Sequence, residues 1–246
     1  MSSEIAIFAS QVKKSFRKNP RHKEKFPVLN NLSLSVTKSQ SIAILGPNGA
    51  GKTTFMKALL GLVFPDSGQI QIFSHPAGSQ MARQRLGFLS ELPLILDFLS
   101  RQSFLNHFAS LISDAGHSKD NTLDTLIQDL IGNIPIDLPM SSYSKGMMQR
   151  LNFARVLQKD PELIFLDEPA TGLDPIGQLN IVRIVNRLRE LGRTIYVNTH
   201  SIDFALEAAD RVVVLHQGRI VTDQMCKDIS RSELENLFLG LDSIRS

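Results

Sequence analysis

Gly46-Pro47-Asn48-Gly49-Ala50-Gly51-Lys52-Thr53-Thr54 follows the apolar run 42–45 and opens a helical pattern over 52–62. The spacing is GxxxxGK[ST] in full, in the strand-then-helix setting that gives this motif its chemistry. Its glycines let successive backbone N–H groups converge on an anion, and the new helix adds the positive end of its dipole. Lys52 is placed to reach the β- and γ-phosphates, and the Thr53 hydroxyl to ligate Mg²⁺. A Gly-rich turn capping a helix would account for the glycines but not for a lysine and a threonine at the helix start.

A second buried run, 163–166, ends in Asp167-Glu168. Adjacent carboxylates at the end of an apolar strand suit a phosphate-transfer site, since α/β sites gather at the carboxyl ends of strands. Asp167 would then hold the metal shell, and Glu168 would act as general base on the water attacking the γ-phosphate. The competing reading, two acids capping the next helix, leaves the phosphate loop without partners.

Around these two motifs the chain alternates short strands with longer helices. Runs 5–10, 32–36 and 69–73 alternate apolar and polar residues, predicting half-buried antiparallel strands. Runs 42–45, 163–166, 194–197 and 212–215 are almost continuously apolar, as in a sheet covered on both faces, with helices 52–62 and 177–191 as the cover. Pro65-Asp66-Ser67-Gly68 is turn chemistry. Residues 100–159 read as helical without strands, interrupted by a loop at 134–144, and 229–239 predicts a short amphipathic helix. The fold class is therefore α/β: a phosphate-loop NTPase core with a parallel sheet, an antiparallel β subdomain and an inserted helical subdomain. The expected divisions are an ATP-binding domain over 4–225, with its helical subdomain at about 92–159, and a tail with a short helix over 226–246.

The 246 residues are 42% hydrophobic and 21% charged, which fits a globular chain with a sizeable core. One cysteine, Cys226, excludes an intramolecular disulfide framework, a multi-Cys zinc site and an iron–sulfur cluster, and suits a reducing compartment. No apolar run approaches the ~18 residues of a membrane span; the best stretch, 92–99, is cut by Pro93 and Asp97. Glu4 ahead of a short apolar stretch does not resemble a signal peptide. The net charge of +3 hides one basic segment: Lys13, Lys14, Arg17, Lys18, Arg21, Lys23 and Lys25 oppose Glu24 alone, giving +6 there and −3 elsewhere. Such a local excess does not indicate a general nucleic-acid surface, and no nucleic-acid partner is expected. With Pro20 inside it, the segment predicts a solvated hairpin loop; a sharper reading places it near anionic lipid headgroups or another acidic surface.

With these elements in order, the chain resembles the ATP-binding-cassette (ABC) ATPases along nearly its whole length. Tyr143-Ser144-Lys145-Gly146-Met147, followed by Gln149-Arg150, matches in part that family's LSGGQ signature. Thr171-Gly172-Leu173-Asp174 is similar to its D-loop, His200 to its switch histidine, and Phe16 to the aromatic that stacks on adenine. Glu91 stands where the family's Q-loop glutamine is expected, so it can accept a water proton or ligate Mg²⁺ but cannot donate as an amide. Lys145 and Met147 replace a glycine and a glutamine while Ser144 and Gly146 are kept. The acidic Q-loop and the YSKGM signature are similar to the short bacterial type-2 exporter ATPases. The resemblance implies ATP and Mg²⁺ and a head-to-tail dimer, expected to be a homodimer, in which Ser144 and Gly146 contact the γ-phosphate bound to the other copy. Asp174 would connect the two sites and His200 would sense the γ-phosphate.

It also implies a separate membrane permease, with the chain cytoplasmic and peripheral at the inner face of the cell membrane. The permease would dock around residues 91–105. The alternation of Leu92, Leu94, Leu96 and Phe98-Leu99 would supply an exposed apolar patch there, or else form a plain core helix. The competing classes are soluble ABC ATPases of nucleic-acid or translation processes, which usually carry a long coiled coil or tandem cassettes, and small-molecule kinases, which do not need Ser144-Lys145-Gly146. No NKxD sequence supports guanine specificity.

Overall fold

The computed structural model describes residues 4–17, 24–112 and 121–243. In chain order the elements are β1 (Ile5–Arg17), β2 (Lys25–Thr37), β3 (Ser41–Leu45), α1 (Lys52–Leu59), β4 (Ser67–Ile72), β5 (His75–Pro76), α2 (Gln80–Gln84), β6 (Leu86–Leu89), α3 (Arg101–Ser110), α4 (Asn121–Ile131), α5 (Lys145–Leu157), β7 (Leu163–Asp167), α6 (Pro175–Glu190), β8 (Thr194–Thr199), α7 (Ile202–Ala208), β9 (Arg211–His216), β10 (Arg219–Met225) and α8 (Arg231–Ser243). This is a mixed α/β fold with parallel and antiparallel sheets. The described residues fall into two units, one within Met1–Gln84 plus Val182–Ser246 and one within Arg85–Ile181.

The first unit holds an antiparallel sheet in the order β2-β1-β4-β5, and a second sheet in which β3 lies parallel between β9 and β8 while β10 pairs antiparallel with β9. The residue patterns explain the difference. Every residue of β3 and β8 is buried, so both faces are covered, whereas β1 and β2 alternate buried and exposed positions. β10 was not expected from the sequence, because its exposed, polar alternation belongs to an edge strand that carries little of the core.

The basic segment departs from the expected loop. β1 continues to Arg17 and β2 begins at Lys25, so Lys13, Lys14, Arg17 and Lys25 stand on strands; Lys18, Pro20, Arg21 and Lys23 lie outside the described residues. One acid, Asp66, offsets part of the charge on this ribbon. Asp66 accepts from the Ser15 N–H at 2.7 Å and from Lys14 at 3.3 Å, and these contacts hold its carboxyl below the ordinary range. Phe16 faces Phe26 across the strands at 6.4 Å between ring centroids, with Lys14 Nζ 5.4 Å from the Phe16 ring.

Helix α8 shares a core with α7, β3 and β9, in which Leu234 and Leu241 pack with Ala43, Leu45, Ala205 and Val214. Cys226 packs against the same cluster, and burial pushes its thiol up to about 11, so it is a poor nucleophile near neutral pH.

In the second unit β6 and β7 pair in parallel. The four apolar residues of β7, Leu163 to Leu166, are fully buried, each stabilising the unit by roughly 1.5–3 kcal/mol. The loop expected at 134–144 is present and anchored. Arg101 donates at 2.6 Å to the carbonyls of both Ile131 and Ile134, and the Tyr143 hydroxyl lies 2.8 Å from Pro135 O and 3.0 Å from Leu138 O. Residues 92–99 form no helix, so the core-helix alternative is set aside: Leu92 is 79% and Phe98 80% exposed. Pro93 interrupts the pattern, and buried Asn152 holds the backbone at Leu94 through hydrogen bonds of 3.1 and 3.2 Å.

Asp210 ties the first unit together. It accepts from the Ser41 N–H at 2.9 Å, from the Ser41 hydroxyl at 2.8 Å and from Arg189, joining the start of β3 to α6 and β9. Burial pushes its carboxyl up, but the hydrogen bonds from Ser41 and Arg189 outweigh this and hold it below the ordinary Asp value. Asp210→Asn is expected to cost about 1–2 kcal/mol in urea unfolding, toward the lower end for hydrogen bonds to a charged, partly exposed group. Since the folded value lies below the unfolded one, this contribution is full above about pH 4 and declines as pH falls through the depressed value. The variant should lack that part of the acid dependence.

Candidate functional site

In the first unit the strand β3 delivers the chain into 46–51, and Gly51, at φ 108°, caps α1 in the left-handed region that glycine tolerates. A side chain at Gly46 would overlap Leu215 O, and one at Gly51 would lie 2.9 Å from Val28 O. Neighbouring backbone therefore packs directly against the loop. The Gly218 N–H donates to Ala50 O and the Asn30 N–H to Gly218 O, both at 2.9 Å, so the β9–β10 turn braces the loop against β2. Lys52 is 7% exposed, and its Nζ donates to Gly46 O at 2.6 Å and Pro47 O at 3.4 Å. Asn48, Gly49 and Thr53 are exposed, Pro47 and Thr54 are half-buried, and Ala50 is buried. The ammonium, the turn N–H groups and the Thr53 hydroxyl thus belong to one short segment able to cradle phosphate oxygens. His200 follows β8 at an exposed position, just ahead of Ser201, which caps α7 by accepting from the Phe204 N–H at 3.2 Å. Phe16 is half-buried on β1.

In the second unit β7 ends at Asp167, which is 7% exposed. Glu168 then turns into the left-handed region at φ 48°, unusual for a residue with a side chain, and is half-buried. The Thr171 hydroxyl donates to Glu168 Oε2 at 3.2 Å and the Thr171 N–H to Glu168 O at 3.2 Å. Gln149 Nε2, buried, donates to Pro169 O at 2.8 Å. Asp174 caps α6 by accepting from the Gly177 N–H at 2.7 Å. Ser144 caps α5 by accepting from the Met147 N–H at 3.2 Å, and a side chain at Gly146 would meet nothing within 4 Å. Asp167, Glu168, Asp174, Ser144 and Gly146 are thus brought together in one unit. Glu91 is exposed after β6, in the loop that bears Leu92 and Phe98.

The sequence reading gave no role to Thr171 or Gln149, which set the backbone around Glu168. Their signal was the spacing: a hydroxyl three residues beyond a turn carboxylate, and an amide four residues along the helix from Lys145.

Comparison with known proteins bears on both units. The model of a family described as ABC transporter matches residues 29–171. An ABC transporter ATP-binding protein of Nostoc sp. (strain PCC 7120) is 37% identical over 87% of this chain, which spans 65% of that protein's length. A lantibiotic transport ATP-binding protein of Streptococcus pyogenes is 35% identical over 86% of this chain and 89% of its own. Among solved structures, a dimeric ATP-binding cassette in a post-hydrolysis state bound to ADP and Pi superposes with a TM-score of 0.77 at 21% identity, covering 89% of this chain and 98% of that one. The chain belongs to the ABC transporter family and carries the fold of its ATP-binding cassettes.

Proposed function

We propose that the chain is the ATP-binding and ATP-hydrolysing subunit of an export-type ABC transporter, driving a separate membrane permease by pairing head to tail with a second copy. The observation that carries this reading is the open first turn of α5. Ser144 caps this turn and a Cβ built on Gly146 would meet nothing within 4 Å, which in this reading leaves room for a phosphate. The export sense is supported by the similarity to a Nod factor export ATP-binding protein of Burkholderia lata, 34% identical over 84% of this chain and 69% of its own.

In this reading Lys52, Thr54 and the N–H groups of 46–53 bind the β- and γ-phosphates, and Phe16 stacks on adenine. Glu168 takes a proton from the attacking water, His200 hydrogen-bonds the γ-phosphate, and Asp174 links the paired sites. The Thr53 hydroxyl and the Asp167 carboxylate, with Glu91, are hard oxygen donors of the kind that hold Mg²⁺ alongside substrate phosphates. Such a site needs no all-protein cage, and none of three or more His, Cys, Asp or Glu occurs among the described residues. Bound there, the cation would neutralise charge on the phosphate oxygens.

No helix among the described residues is long and apolar enough to cross a membrane. Leu92, Leu94 and Phe98 are exposed and in this reading offer the permease an apolar contact, with the chain peripheral at the cytoplasmic face of the membrane. Residues 4–225 act as the ATP-binding domain, 92–159 as its helical subdomain, and 226–246 as its tail. The basic ribbon that starts at Lys13 adds attraction to anionic headgroups, weakened by salt.

Lys52→Ala should lower kcat/KM for ATP hydrolysis on the order of 10²–10³-fold, by removing the fixed cation that stabilises phosphate charge. Turnover at the wild-type rate would reject the phosphate-loop role.

Glu168→Gln should slow hydrolysis on the order of 10²-fold or more while ATP binding persists. Size-exclusion chromatography in Mg-ATP should then show a stable dimer; a monomer with full turnover would defeat both assignments.

Leu92→Asp combined with Phe98→Asp should leave the basal ATPase rate of the isolated chain unchanged and abolish co-purification with the permease. Retained co-purification would remove this loop from the docking surface.

A further inference from the structure

Lys145 occupies the first position of α5, directly after the Ser144 cap. A cation at a helix N-terminus opposes the helix dipole. Among the described residues Lys145 has neither a carboxylate partner nor a hydrogen bond that would repay this placement. Its side chain instead lies across the loop after Glu168: a Cβ built on Gly172 would overlap Lys145 Nζ and stand 3.3 Å from Cε. Gly172 has φ 70°, so its missing side chain serves both the turn and the passage of the lysine.

One helical turn further on, on the same face of α5, Gln149 donates to Pro169 O at 2.8 Å. The first two turns of α5 thus touch the 168–174 loop at two points, Pro169 and Gly172. That loop holds Glu168 in its left-handed conformation through Thr171 and ends at Asp174, the cap of α6. These contacts link the start of α5 to the loop that sets the Glu168 carboxylate. Every residue in this chain of contacts lies within Arg85–Ile181.

We propose that Lys145 is a positioning residue. When the second copy's nucleotide engages Ser144 and Gly146, Lys145 transmits that engagement through Gly172 to this chain's own Glu168, so that each site reports its occupancy to the other. The inference rests on the head-to-tail reading above. It assigns a task to the residue that replaces a signature glycine, and it needs no contact between Lys145 and phosphate.

The test uses the purified full chain with Mg-ATP and compares wild type with Lys145→Met, which keeps the stem and loses the charge, and Lys145→Arg, which keeps both. Lys145→Met should lower kcat about 2- to 30-fold, the range of coupling mutations, with KM changed less than about 2-fold. The Hill coefficient for ATP should fall from above one to one, and Lys145→Arg should restore both quantities. Unchanged kcat and Hill coefficient, or a wild-type Hill coefficient of one, overturns the proposal. A rise in KM matching the loss of kcat/KM, with the Hill coefficient kept, overturns it in favour of direct nucleotide binding. The parent reading is read out separately by dimerisation of Glu168→Gln in Mg-ATP. Absence of that dimer defeats head-to-tail pairing itself, whereas a dimer that forms with Glu168→Gln but disappears when Lys145→Met is added defeats only the positioning role.

Discussion

A lysine ammonium that is 7% exposed must find acceptors, and Lys52 finds them in its own loop, at Gly46 O and Pro47 O. The requirement shapes everything near it. The loop curls so that the carbonyls of Gly46 and Pro47 face the lysine, with Gly49 and Gly51 both at positive φ. Backbone from Leu215 and Val28 fills the space that side chains would have taken, and the turn at Gln217-Gly218 hydrogen-bonds the loop from below. Two sheets of the first unit are thereby committed to holding one anion-ready turn.

The second unit meets a different constraint, that of holding the Glu168 carboxylate in a sharp turn at the end of a buried strand. Glu168 leaves the end of a fully buried strand in a conformation that costs a non-glycine residue of order 1–3 kcal/mol. Hydrogen bonds from Thr171, together with the grip of Gln149 on Pro169, keep it there. The same helix that supplies Gln149 is capped by Ser144, so the segment proposed to read a partner's nucleotide and the segment that holds the turn at Glu168 belong to one helix. This economy gives Lys145 its significance, since it adds a further contact between the two.

Much of this was legible in the sequence because the decisive signals are local. A glycine-spaced turn before a lysine, and four apolar residues before two acids, specify backbone shape and side-chain chemistry within a few residues; β3 and β7 stand where those patterns place them. Other features depend on tertiary neighbours. The strand ends around Phe16 and Phe26 were read as loop because the charge of Lys13, Lys14 and Lys25 dominates locally, while Asp66, which offsets it, is some fifty residues away. β10 was missed because an edge strand needs few apolar residues, although Gln217-Gly218 between two β-like runs is hairpin chemistry. Leu92 to Leu99 left open whether its leucines were buried. In the fold Leu92 and Leu94 are exposed while Leu96 and Leu99 are half-buried, and the backbone at Leu94 is held by Asn152, more than fifty residues away.

The central claim is that a complete hydrolytic site draws the phosphate loop from one copy and the signature segment from another. Mixing Lys52→Ala with Ser144→Arg tests it most directly. In a head-to-tail pair of the two variants, both lesions fall in one composite site and the other site is assembled entirely from intact residues. Each variant alone should be inactive, and an equimolar mixture should regain ATP hydrolysis that rises with total protein concentration as mixed pairs form. A mixture as silent as its components at every concentration would contradict the account.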